Sequence, residues 1–168
     1  RTGDTVNPRT CWAWHGSAPV ANQRFQLDNS VAGSTLTNYW GQPTSTDLVF
    51  GPGDNTNANG FDFITYVWKA VPGYSAFGKY RGNQSADGVF VHTGFAPQFI
   101  LLKGRNLNSD WILLDSARSI YNPRNAALYP NYNLNEQITS ALDVDFLSNG
   151  FKLRTNNATL NQGYDYLY

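Results

Sequence analysis

The residues best equipped for chemistry lie in one stretch, "LLDSARSIYNPRNAALYPNYN" (113–133). Asp115, Arg118, Tyr121, Asn122, Tyr129, Asn131 and Tyr132 combine planar aromatic rings, side-chain amides and a charge pair. A sugar ring stacks its apolar face on an aromatic while amides and carboxylates take its hydroxyls, so these seven are the candidate ligand-binding residues. The alternative reading is structural: Asp115 and Arg118 pair to pin a long loop, and the tyrosines cover the edge of a sheet. None of the seven is assigned a catalytic role.

Other segments come close to a chemical motif and fall short. "DNTNANG" (54–60) almost spells a calcium loop. Such a loop needs oxygen ligands at alternate positions and a bidentate Glu at the twelfth. Counted from Asn55, the twelfth residue is Tyr66, and only Asp54 brings a carboxylate. Asn59–Gly60 suits a tight turn before a strand, so a metal-free turn is expected. His15 and His92 are the only histidines and lie far apart in sequence; His92, in "VFVHT", reads as a strand histidine satisfied by a backbone group. Glu136 is the only glutamate. Asp143 and Asp145 share a strand face and have the spacing of an acid pair, or of two exposed aspartates beside a turn. Asp62 and Asp165, each between aromatics, read as outward strand positions. Cys11 stands alone, which excludes an internal disulfide and a thiolate metal cluster; it reads as a core or half-buried residue. There is no G-x-S-x-G, P-loop or H-E-x-x-H. No cofactor and no metal is implied.

The elements that must position these residues are strands. The 168 residues are 41% hydrophobic, 15% aromatic and only 14% charged, and rich in Gly, Pro and Asn, a balance that suits an all-β chain with many turns. The formal net charge is zero with no concentration of Lys or Arg, which argues against nucleic acid. No apolar run approaches the roughly 20 residues needed to cross a bilayer as a helix. The chain contains no methionine, so Arg1 reads as the start of a processed product or an excerpt.

The chain also echoes itself. "FDFI" (61–64) matches "YDYL" (164–167), each directly after a glycine, Gly60 and Gly163, at an offset of 103. Phe50 matches Phe151 and Leu27 matches Leu128 at 101, and "CWAWHGS" (11–17) matches "WILLDSA" (111–117) at 100. Ordered echoes at a nearly constant offset indicate tandem units of about 100 residues. Residues 1–72 would then be the later part of a first, incomplete unit and 73–168 a second unit, its last strand at 164–168 cut short. Strands are expected at 61–68, 74–80, 89–93, 98–103, 111–115 and 164–168, with a hairpin turning at Ser148–Gly150. The run "QFILLK" (98–103) has the character of a strand buried on both faces. Residues 133–144 have the makings of one turn or a short helix capped by Asn133 or Asn135. Short strands without helical blocks between them give an all-β, antiparallel β-sandwich or jelly-roll-like fold.

The strings "GYSAFGKYRGNQSADGVFVHTGFAPQFILLK", "WILLDSAR" and "DFLSNGFKLRT" resemble a repeat domain found in tail-fibre and other virion structural proteins of tailed bacteriophages. There it often occurs in tandem beside concanavalin-type lectin sandwiches. The resemblance spans 73–168 and, more weakly, 9–71. It transfers no catalytic motif. It implies a virion structural protein on the virion surface, outside the cell, serving as a tail-fibre module for host attachment. Its partners would be other virion subunits and a host surface glycan, within a homo-oligomeric fibre such as a trimer. The alternatives are a capsid decoration or head-fibre protein without a receptor, and a surface-glycan depolymerase.

Overall fold

The computed structural model describes residues 11–17, 23–35, 44, 46–52 and 54–168. Among them the chain is all-β and every strand pairing is antiparallel. Strands β1 (Trp12–Trp14), β2 (Gln23–Gln26) and β3 (Ser34–Thr35) form one sheet in that order. A four-stranded sheet runs β4 (Lys79–Arg81), β12 (Asp165–Leu167), β6 (Phe99–Gly104), β7 (Trp111–Asp115). A three-stranded sheet runs β10 (Val144–Leu147), β11 (Gly150–Leu153), β5 (Phe90–His92), and a two-stranded ribbon joins β8 (Ala126–Ala127) to β9 (Gln137–Ile138). The helical pieces are short: α1 (Asp54–Asn57), a 3-10 turn (Ser140–Leu142) and α2 (Ala158–Asn161).

The alternation of apolar residues decides how the sheets stack. Tyr80, Ile100, Leu102, Ile112, Leu114 and Tyr166 point from the four-stranded sheet into one core, where they meet Val91, Val144, Phe146, Phe151 and Leu153 of the three-stranded sheet. Leu142 and Leu160 join the same cluster from the 3-10 turn and α2. At its centre Tyr80 stacks on Tyr166 at 5.1 Å and meets Phe151 edge-on at 6.2 Å. Gly150 is a glycine because a Cβ there would collide with the Val91 carbonyl, so a side chain would push β5 off the sheet.

The alternate residues of the four-stranded sheet face the other way. Trp111 and Leu167 are buried there against Phe25 of β2, with Leu101, Ala13 and Leu27 around them. The β1–β2–β3 sheet thus covers part of the outer face, so β6 is buried on both sides at Leu102–Gly104, while Phe99 stays exposed and Leu101 half-buried. Trp111 meets Phe25 edge-on at 6.4 Å and donates its indole N–H to the Gln26 carbonyl at 2.7 Å. Lys103, wholly buried, donates to the carbonyls of Ser30 at 3.1 Å and Ser109 at 2.5 Å.

Several expectations are corrected. Residues 61–70 belong to no strand, and the strand expected at 74–80 begins only at Lys79. The one turn or short helix expected at 133–144 is the 3-10 turn Ser140–Leu142, preceded by β9, but its cap is Thr139 and neither Asn133 nor Asn135. Cys11 is exposed, since it lies just outside β1, an edge strand. His92 is exposed beside Phe90, and it is His15 that the backbone satisfies, through the Tyr168 carbonyl at 2.9 Å and the Ser17 N–H at 3.0 Å. The segment 54–60 holds the single turn α1 and then Gly60 at φ +79°, the left-handed backbone that favours glycine.

Candidate binding site

Segment 115–132 begins where β7 ends, and Asp115 sets its first turn. The Asp115 carboxylate accepts from the backbone N–H of Ala117 at 3.0 Å and of Arg118 at 2.9 Å, the local bonding that makes aspartate a turn former. Its second oxygen takes Arg118 Nε at 2.7 Å, and the same guanidinium reaches Glu136 at 2.7 Å. Desolvation works against the Asp115 charge, but the hydrogen bonds from Arg118 and Ala117 outweigh it and hold the carboxyl below its usual range. The one glutamate of the chain is therefore tied to this turn, a contact the sequence spacing gave no hint of.

Past the turn the segment becomes a strap rather than a free loop. Ile120 and Tyr121 are exposed, Tyr121 to 78%. Asn122 then pairs with β10 as a strand residue would: its Nδ2 donates to the Phe146 carbonyl and its Oδ1 accepts the Phe146 N–H, both at 2.9 Å. Arg124 exchanges backbone hydrogen bonds with Val144, and its guanidinium donates to the Ser119 carbonyl and lies over the Phe146 ring at 5.6 Å. Leu128 exchanges backbone bonds with Leu113 of β7, 3.0 Å each way. The strap thus bridges the β10 edge of one sheet and the β7 edge of the other, closing that side of the sandwich.

A tight turn follows, with the Tyr132 N–H donating to the Tyr129 carbonyl at 3.0 Å. Between them Asn131 accepts the Trp111 N–H at 2.9 Å and donates to Asp110 at 3.0 Å. Tyr129 packs against the main core; desolvation, with a contribution from Asp110, raises its pKa. Tyr132 is 51% exposed.

The seven candidates divide by what they touch. Asp115, Arg118, Asn122 and Asn131 spend their polar atoms on the protein, and Tyr129 is half-buried. Tyr121 and Tyr132 are the two that offer a ring to solvent. Ile120, Leu134 and Ile138, all exposed on or beside the strap, add apolar surface. The aspartates weighed as an acid pair are also engaged. Asp145 is buried and paired with Arg154 at 2.6 Å, while burial raises the pKa of half-buried Asp143, aided by Asp145 and opposed by a hydrogen bond from Asn125. Asp165 lies between Arg105 at 2.8 Å and Arg81 at 3.3 Å. Among the described residues no three of His, Cys, Asp and Glu are grouped to hold a metal ion, and no helix is long and apolar enough to cross a membrane.

An antiparallel sandwich whose polar side chains mostly fasten its own edges defines the class: an all-β module with a buried aromatic core and a few rings, such as Tyr121 and Tyr132, left outward. The chain belongs to the family described as a domain of unknown function (DUF7483), whose model matches residues 4–168 in one span. No curated protein matches it. No solved structure matches it either.

Proposed function

We propose that the domain is a virion-surface module of a tailed bacteriophage, a tail-fibre unit that adheres to host surface glycan. The resemblance of "SADGVFVHTGF" and "DFLSNGFKLR" to virion repeat domains motivates the setting. The observation that carries the mechanism is the pair of exposed rings, Tyr121 and Tyr132, on a strap whose backbone is fixed at Asp115, Asn122, Leu128 and Asn131. Fixed aromatics stack on sugars at little entropic cost, and several copies on one particle multiply a weak single contact. Against a depolymerase, the carboxylates of Asp115, Glu136, Asp145 and Asp165 each face an arginine within 2.8 Å.

The test is binding of the purified chain to an array of bacterial surface polysaccharides. Alanine at Tyr121 and at Tyr132 should each weaken binding about tenfold or more, as central stacking anchors do, with the melting temperature unchanged. Wild-type levels of binding in both variants, or no binding by the wild-type chain, would overturn the reading.

A further inference from the structure

The segment 61–77 carries more unmet apolar surface than any other described part of the chain. Ile64, Tyr66, Val67, Trp68 and Tyr74 are 83%, 73%, 72%, 71% and 80% exposed. Tyr66 and Trp68 stack on each other at 6.1 Å, so the aromatic face is pre-arranged in the free chain. From Ile64 to Trp68 residues of both parities are exposed, while Val71–Ser75 closes a hydrogen-bonded turn. Its backbone is equally unmet: from Ile64 to Trp68 no N–H or C=O has a hydrogen-bond partner among the described residues.

The sequence of this segment is that of a strand, and its echo shows what such a strand needs. In "YDYL" (164–167) Tyr166 and Leu167 are buried, and β12 has a neighbour on each side, β4 and β6. The matching Phe63 and Ile64 are 37% and 83% exposed. An exposed, unpaired run of β-branched and aromatic residues is a template for pairing with another chain.

We infer that residues 61–74 form the contact with a second copy of this chain, the run before the Val71–Ser75 turn pairing antiparallel with the same run. Three observations select this occupant. With aromatic side chains of ~150–250 Å² each, the five exposed residues present on the order of 800 Å², about what one partner contributes to a stable interface. The N–H and C=O groups of 64–68 bond water in the free chain; a contact that buries them must replace that water, which a strand does and hydrocarbon does not. The only charges in the segment are Asp62 and Lys69, near opposite ends of its strand-like part. An antiparallel arrangement lays the Asp62 end of one copy beside the Lys69 end of the other, and a two-fold contact satisfies both copies at once. The partner's side chains have a seat as well, since Ile64, Tyr66 and Trp68 line a groove of about 1620 Å³ shared with Phe99, Leu101 and Tyr168. This inference needs no glycan and no host.

The test is sedimentation of the full chain across a concentration series, with hydrogen exchange on the assembled and diluted forms. Wild-type protein should associate, and amides 64–68 should gain protection on association. Val67→Lys with Trp68→Lys should sediment as a single chain with an unchanged circular dichroism spectrum. Asp62→Lys should weaken association several-fold, and adding Lys69→Asp should restore it. A wild-type chain that stays monomeric at high micromolar concentration overturns the inference, including one that partitions instead into phosphatidylcholine vesicles. So does an assembly in which amides 64–68 exchange as fast as in the dilute form. Glycan binding is read separately at Tyr121, so either reading can fail without the other.

Discussion

Asn122 and Phe146 are joined twice, the side-chain amide of one meeting both backbone groups of the other at 2.9 Å. A side chain here does the work of a strand neighbour, and it holds the strap to the β10 edge. Asn122→Ala leaves a part-buried N–H and C=O without partners, at about 1–3 kcal/mol. The expected result is a clear fall in the denaturant midpoint, with polysaccharide binding per folded molecule only modestly weakened by the loss of fixing beside Tyr121. A variant with wild-type stability and lost binding would make Asn122 a ligand contact after all.

Lys103 predicts an alkaline gain in stability. Desolvation depresses its pKa to about 8, with Asp110 partly opposing, against an ordinary 10.5. The unfolded chain therefore holds the proton more tightly, and stability rises with pH between the two values. Buried Tyr80 acts in the opposite sense, since burial raises its pKa and its unfolded form ionises from about pH 10. The melting temperature should thus climb between about pH 8 and pH 10, and Lys103→Met should flatten that climb. Thermal unfolding at fixed ionic strength reads both.

His15 predicts an acid loss. Burial lowers its pKa, only partly countered by the bond to Tyr168, and its Nδ1 accepts the Ser17 N–H, which requires the neutral ring. Its stabilisation is complete above the unfolded value of about 6.5 and is lost as pH falls through the lower folded value. His15→Gln should remove the part of the stability slope just below pH 6.5. The carboxylates act only lower, so the two phases separate in a pH titration of the denaturant midpoint.

Asn161 is buried with its amide fully engaged: Nδ2 donates to Asn83 Oδ1, Ser85 O and Thr155 O at 2.8–2.9 Å, and Oδ1 accepts the Asn83 N–H at 3.0 Å. Beside it, a Cβ on Gly82 would run into the Gln162 carbonyl. Asn161→Ala and Gly82→Ala should each cost about 3 kcal/mol or more, among the largest single losses in the chain. Chemical denaturation checks both. A loss under about 1 kcal/mol at either site would mean the turn at 82–88 yields easily.

Much of the sandwich was legible because its strands obey local rules. The run 98–103 is buried on both faces only from Leu102 on, with Gln98 and Phe99 exposed, while 111–115 has the bounds of β7 and Ser148–Asn149 turns the β10–β11 hairpin, with Leu147 opposite Gly150. The strap was not legible. Ala126 and Ala127 are too small and too few to show alternation; they pair with Ile138 and Gln137, and the flanking Arg124 and Leu128 bridge to distant edges at Val144 and Leu113. In the candidate site the sequence supplied the residue types but not the direction of their polar atoms. Asn122 and Asn131 read equally well as ligand readers or fasteners until Phe146 and Trp111 are seen beside them. The segment 61–68 misled in the reverse direction. Its composition states a strand, but a strand also needs neighbours, and composition says nothing of them.

The position of β12 between β4 and β6 governs the order of assembly. β4 and β6 are near in sequence yet never touch as neighbours; each must wait for a strand that follows by some sixty to eighty residues. Asp165 lies opposite Arg81, a separation of 84. Hairpins such as β6–β7 and β10–β11 can form early, but the sheet they belong to stays open until the last strand slots in, the slow step expected when distant segments must meet. On a ribosome, the earlier strands emerge with their core uncovered and their Tyr80 ring unstacked, so this domain is exposed to aggregation until β12 has emerged.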